Sequence, residues 1–408
     1  MSVISIEEIR GHFPALERTQ SGCAVGYFDG PGGTQVPNGV VKAVADYLLW
    51  HNANTEWKYP ASEETDQLLK EARKAFADLL GCSMEEIVFG QNMTTLTFHL
   101  SRTLGKRWGP GDEVIVTQLD HQANQAPWRS LESECGIKVH TVPMLAESGK
   151  LDWDSLTKLF SQRTRLLAIG GASNALGTVN DLNAAAQLCR NYGAKFFVDA
   201  VHMASHMSID VAEIGCDFLA CSAYKFYGPH VGILFIRKDL EEFLLPPRLP
   251  CAKDYLPESF ETGTLNHEGI VGALEAVEFL AGLVETNGSR RERLGIAFEA
   301  LHKRSQNLMR LLWNGLQEQN RVKLYGPGPS EPRTPTIGFT VEGMDSAKVA
   351  ERLATESALF LSHGDFYASG VTEALGIEGQ GLVRAGCACY TNEEEVDRLI
   401  RGVANLRC

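Results

Sequence analysis

Phe218-Leu-Ala-Cys221-Ser222-Ala-Tyr-Lys225-Phe-Tyr-Gly228-Pro-His230-Val231-Gly-Ile-Leu-Phe235 sets one lysine between two apolar runs. Short continuous apolar runs bounded by turn residues read as buried strands. A lysine at their junction is desolvated, which favours its neutral, nucleophilic amine. Such an amine can form a Schiff base with an aldehyde cofactor. Upstream, Phe196-Phe-Val-Asp199 ends another apolar run on a carboxylate. Ligands of open α/β sheets bind at the carboxyl ends of strands, where a carboxylate can partner a pyridinium nitrogen. Alone, each residue reads as ordinary: a snorkelling lysine and a helix-capping aspartate. As a pair at strand ends they point to a pyridoxal phosphate (PLP) site.

Around this stretch, strand and helix patterns alternate from about residue 65 to about residue 240. Glu64 to Leu80 places Leu68, Leu69, Ala72, Ala75, Phe76 and Leu79 on one helical face. Apolar runs follow at Ile87-Val-Phe89, Val114-Ile-Val116, Leu166-Leu-Ala-Ile169, Phe196-Phe-Val198 and Phe218-Leu-Ala220, with helical segments such as Asp181–Tyr192 between them. This alternation predicts a mainly parallel sheet covered by helices on both faces. After about residue 270 the pattern changes to helices at Glu268–Val284 and Arg290–Gln319, then a strand at Thr336–Thr340. A helix at Ser346–Glu356, the run Leu382-Val-Arg384 and a helix at Asn392–Asn405 close the chain. The expected division is a large PLP-binding domain over residues 21–270 and a smaller α+β domain from residues 1–20 and 271–408.

The 408 residues, 44% of them hydrophobic, suffice for a large core. A formal net charge of −13 argues against a nucleic-acid or anionic-membrane partner. The N-terminus lacks the basic and apolar regions of a secretory signal, and no apolar stretch approaches the ~20 residues of a membrane span. The ten cysteines are scattered without a Cys-x-x-Cys pair, so no metal site is expected. They read as reduced thiols of a cytoplasmic protein.

Three further segments follow predicted strands. Gly90-Gln-Asn-Met93-Thr94-Thr95 opens a helix, whose free N–H groups and dipole suit a phosphate, although ordinary N-capping explains it equally well. Leu119-Asp-His121-Gln-Ala-Asn brings an imidazole that can stack on a flat ring or shuttle protons. Ser173-Asn174-Ala-Leu-Gly177 brings an amide, or simply a turn. Their convergence on one sheet edge is stronger evidence than any single motif.

The order Asp-His121-Gln-Ala-Asn, Ser-Asn174-Ala-Leu-Gly, Asp199-Ala-Val-His202, Ser222-x-x-Lys225-x-x-Gly-Pro and Glu261-x-Gly263-Thr264 resembles the cysteine desulfurase branch of the class V PLP enzymes. The similarity spans nearly the whole chain. It implies the fold type I architecture of PLP-dependent transferases, a mainly parallel seven-stranded sheet beside a smaller α+β domain. It also implies roles. Lys225 would hold the cofactor and later move the Cα proton. Asp199 would keep the ring nitrogen protonated, His121 would stack on the ring, and His202 would stand where the family has glutamine near the ring oxygen. Met93, Thr94 and Ser222 would bind the phosphate, with Tyr224 beside them in the cofactor site. Thr264 would reach the phosphate of a partner subunit, implying a homodimer. Asn174 and Arg384 would grip the carboxylate of a small amino-acid substrate, a task that suits the planar fork of arginine.

Four segments depart from the family pattern. His363-Gly364-Asp365-Phe366-Tyr367-Ala368 carries tyrosine where the resemblance places a persulfide cysteine, and tyrosine cannot accept sulfane sulfur. Tyr224 replaces a histidine before the lysine. Asp29-Gly-Pro-Gly-Gly33-Thr34 is a glycine-rich loop expected near the substrate entrance, with Gly33 as a substrate contact beside Tyr367. Asn54-Thr-Glu-Trp57-Lys-Tyr59 brings bulky residues that suit the pocket, the core or a dimer contact equally. The expected activity is cleavage of a C–S or other Cβ–X bond without a persulfide cysteine. The alternatives are β-decarboxylation of an aspartate-like substrate to an enamine, with or without aldol addition, and aminotransfer.

Overall fold

The apolar runs assemble into a seven-stranded sheet in the order Ile87–Gly90, Gly232–Ile236, Phe218–Ser222, Lys195–Asp199, Thr164–Gly170, Glu113–Thr117 and Lys138–Val142. Gly232–Ile236 runs against both neighbours, and the other strands share one direction. The computed structural model describes residues 3–407; Met1, Ser2 and Cys408, the last of the ten cysteines, lie outside them. Side chains alternate across the sheet, so Phe196 and Val198 enter one core while Phe197 enters the other. Helices covering both faces keep the central strands apolar throughout. Lys138–Val142, which the apolar runs do not reveal, is the edge strand opposite Ile87–Gly90. It is partly exposed, so its Val139 and Val142 are interrupted by polar residues.

The helix predicted from Glu64 begins earlier, as Pro60–Leu80, with Pro60 in its first turn and Gly81 closing it at φ 74°. Proline tolerates the first turn and glycine the left-handed cap. The Met93–Gly105 helix starts where Asn92 accepts from the Thr95 N–H.

Beyond the helix His267–Gly282, a four-stranded antiparallel sheet forms in the order Val322–Tyr325, Thr336–Val341, Leu382–Gly386 and Ser362–Gly364. It shares a core with the helices Arg290–Gln317, Ser346–Ser357 and Glu393–Ala404. Phe28 belongs to that core as well. Gly26–Tyr27 pairs in parallel with Leu359–Phe360. The Phe28 N–H then donates to the Phe360 carbonyl at 2.9 Å, and the Gly386 N–H donates to the Phe28 carbonyl at 2.8 Å. This stitching carries the next residues, Asp29–Thr34, to the carboxyl edge of the large sheet. Among the described residues no helix is long and apolar enough to cross a membrane.

Candidate active site

Gly90, Asp199 and Ser222 end their strands on one edge of the large sheet, and the loops leaving that edge line a cleft of about 1040 Å³. Lys225, Asp199, His121, His202, Ser222 and Tyr224 line it. So do Met93, Thr94, Asn174, Tyr367 and Arg384. Gly33 does not: a Cβ on it would lie 3.4 Å from the Tyr224 ring, while its neighbours Pro31 and Gly32 face the cleft. Thr264 is exposed on a separate cleft of about 770 Å³, with Glu261 and Gly263. Trp57 and Tyr59 are exposed and so lie outside the core of this chain.

One end of the cleft suits an anion. The Met93 N–H donates to Ser222 Oγ at 3.0 Å, and the first turn of the Met93–Gly105 helix opens beside it. Free N–H groups and the helix dipole favour negative charge there. Gly232 permits this approach, because a Cβ on it would meet the Asn92 backbone at 2.4 Å.

Lys225 occupies a short turn directly after the Phe218–Ser222 strand. Its Nζ donates to the Pro31 carbonyl at 2.5 Å and lies 4.9 Å from the centre of the Tyr224 ring. Burial lowers its pKa to about 7, helped by the nearby Arg384 cation. At neutral pH a large share of this amine is therefore unprotonated and nucleophilic. The apoprotein is expected to take up pyridoxal at a rate that climbs between about pH 6 and 8 and then levels off. Stopped-flow absorbance would read this. A rate still climbing above pH 9, as for an ordinary lysine, would contradict it.

Asp199 accepts from the Val201 N–H at 2.9 Å. Burial raises its carboxyl to about 6, a cost that a pyridinium nitrogen beside it would relieve. A second carboxyl, Asp120, lines the same cleft close to it and escaped the sequence reading, which used only its neighbour His121. Asp120 accepts from the Gly170 N–H at 3.0 Å and from Asn124 Nδ2 at 2.8 Å. Gly170 is the residue paired with Asp199 in the adjacent strand. Burial, then Asp199 itself, pushes Asp120 up to about 7. His121 Nδ1 accepts from the Ala123 N–H at 2.9 Å, which leaves the ring proton on Nε2. Burial lowers its pKa to about 4, so this imidazole is neutral and able to stack. His202 is buried, with Nε2 held by the hydroxyls of Thr334 at 2.9 Å and Thr336 at 3.1 Å. Burial keeps it neutral also.

Arg384 enters from the small sheet. Its Nε donates to Ser362 Oγ at 3.0 Å and its Nη1 to the Asn174 carbonyl at 2.8 Å. The Phe366 ring covers one face of the guanidinium, 4.0 Å from its carbon. Asn174 Nδ2 donates to the Phe366 carbonyl at 3.1 Å, so the amide expected to grip substrate also fixes this loop. Phe366 and Tyr367 take left-handed backbones, φ 58° and 55°, each costing about 1–3 kcal/mol for a non-glycine residue. The Gln122 N–H holds the Tyr367 carbonyl at 2.7 Å, and Asp365 Oδ1 accepts from the Tyr367 N–H at 3.0 Å.

Cys387 and Cys389 do not reach the cleft. Both are buried, and burial pushes their thiols up to about 12. The Cys389 N–H donates to the Tyr227 hydroxyl at 2.9 Å, in the packing beneath the site.

Anion seat, buried carboxyl and desolvated lysine converge in one cleft, which is the donor set PLP requires for its phosphate, ring nitrogen and aldehyde. The aminotransferase class-V family matches residues 26–399. An aminotransferase-like protein of Gibberella zeae is 32% identical, with 98% of each chain covered. A cysteine desulfurase of Klebsiella pneumoniae is 30% identical, covering 99% of this chain and 98% of that one. The solved apo structure of a cysteine desulfurase from Thermococcus onnurineus is 28% identical, with a TM-score of 0.89 over 99% of this chain and 98% of that one. The chain therefore belongs to the aminotransferase class-V family of PLP-dependent enzymes.

Proposed function

We propose that this chain is a cytoplasmic, homodimeric PLP-dependent lyase that cleaves a C–S or other Cβ–X bond of an amino acid without a persulfide cysteine. The observation that carries this reading is the lining of the cleft. Among the described residues its lining contains no cysteine, and the loop at its entrance presents His363, Asp365, Phe366 and Tyr367 instead. Bound PLP supplies an electron sink for bonds at Cα and beyond. Arg384 and Asn174 orient the substrate carboxylate. Lys225, poised near neutrality, takes the Cα proton. Asp199 keeps the proton at the ring nitrogen, and His121 stacks on the ring. The leaving group departs unaided, as a sulfinate, a selenol or a sulfenate can. Thr264, exposed away from its own cleft, is free to serve a partner subunit.

The test is product analysis on the purified holoprotein with L-cysteine, L-cysteine sulfinate, L-selenocysteine and L-aspartate. Sulfite or selenide with alanine or pyruvate, and no sulfide from cysteine in the presence of reductant, is the expected result. Sulfide from L-cysteine would overturn the reading, and carbon dioxide from aspartate would replace it with enamine chemistry.

A further inference from the structure

Tyr367 combines features that stability does not explain. Its backbone and that of Phe366 are left-handed. Three hydrogen bonds from Asn174, Gln122 and Asp365 hold the pair in place. Yet the Tyr367 side chain is 73% exposed within its own chain, so no burial against that chain offsets the strain. Strain that persists under this much anchoring marks a position where the side chain's placement matters. Its ring centre lies 5.5 Å from that of His121, over the cleft. Phe366, one residue before it, packs on Arg384. Tyr367 is thus tied to the carboxylate grip and reaches outward from it. A second flat surface lines the same cleft, where Tyr224 and His230 stack with ring centres 4.8 Å apart and planes 14° apart. The cleft volume of about 1040 Å³, which PLP and substrate share, lies just above the usual range for small-molecule sites, roughly 300–1,000 Å³.

We infer that Tyr367 is a specificity-determining residue that packs on a planar group carried beyond Cβ of the substrate. The leaving group is then bulky and flat, rather than a bare sulfinate or selenol. This rests on the proposed amino-acid Cβ–X reading and narrows it. A small leaving group requires neither the strained loop nor the aromatic walls. A flat one gains apolar burial and ring-to-ring contact from both.

The experiment compares S-phenyl-L-cysteine, S-methyl-L-cysteine and L-alanine as probes of the holoprotein. Apparent dissociation constants come from the initial change in cofactor absorbance on rapid mixing. The wild type is expected to bind the phenyl probe about tenfold more tightly than the methyl probe. Tyr367→Gly should bring the two within about twofold, while Tyr367→Phe keeps the preference. L-alanine, with nothing beyond Cβ, should bind equally in all three proteins. Glycine accepts φ 55°, so Tyr367→Gly should melt no lower than the wild type, which separates loss of the ring from loss of the loop. Equal binding of the phenyl and methyl probes by the wild type overturns the inference alone. So does a preference untouched by Tyr367→Gly. If no probe perturbs the cofactor, the amino-acid reading fails and the inference fails with it.

Discussion

Lys225→Ala protein is expected to lose the visible absorbance of lysine-bound PLP and to lose turnover by about a thousandfold or more. Lys225 is the lysine that lines the cleft, with its amine shifted to about 7 by burial. On the roles proposed above, removing it deletes the covalent anchor and the group that moves the Cα proton together. The proposed phosphate seat at Met93 and Ser222 and the carboxyl of Asp199 stay intact, so the variant should still bind PLP non-covalently. Absorbance, PLP content after gel filtration and melting temperature separate these outcomes. An unchanged spectrum would assign the covalent role to another lysine.

Arg384→Ala should reduce kcat/KM by about 10²–10³-fold, chiefly through KM, with the cofactor spectrum retained. Three contacts already fix this guanidinium: Ser362, the Asn174 carbonyl and the Phe366 ring. Removing one partner of a buried, hydrogen-bonded charge pair costs about 2–5 kcal/mol. Arg384→Lys should recover little, because a point charge cannot keep those contacts and offer a fork to a carboxylate. Steady-state kinetics on whichever substrate the product analysis identifies, with L-alanine binding as a second readout, checks this. A normal KM in Arg384→Ala would remove Arg384 from substrate binding.

The central strands were legible in the sequence because strands covered on both faces must be apolar at every position, as in Leu166–Ile169. The edge strand Lys138–Val142 was not, because an exposed Lys138 and half-buried His140 and Thr141 interrupt its apolar residues. Motif residues at strand ends, among them Lys225, Asp199, His121 and Asn174, could be placed because the sheet brings its carboxyl ends together. Asp120 could not. A carboxylate before a histidine looks solvated in a sequence, and only the fold shows it buried, bonded to the Gly170 N–H and close enough to Asp199 to have its pKa raised. The loop carrying Tyr367 showed its departure from the family pattern in sequence, whereas its left-handed backbone depends on tertiary anchors from Asn174 and Gln122.

The tie between Phe28 and Gly386 has a consequence for how this protein is made. The strand that delivers Pro31 to Lys225 leaves the ribosome among the first segments. Its binding residues, Leu359, Phe360 and Gly386, emerge near the end. At synthesis rates of about 5–20 residues per second the early segment waits roughly 20–70 s for them. A nascent chain that ends before Leu382 has every strand of the large sheet and lacks both Arg384 and the Phe28 tie. The Arg384 wall of the cleft is therefore one of the last parts completed in biosynthesis, long after Lys225, Asp199 and the Met93 helix have been made.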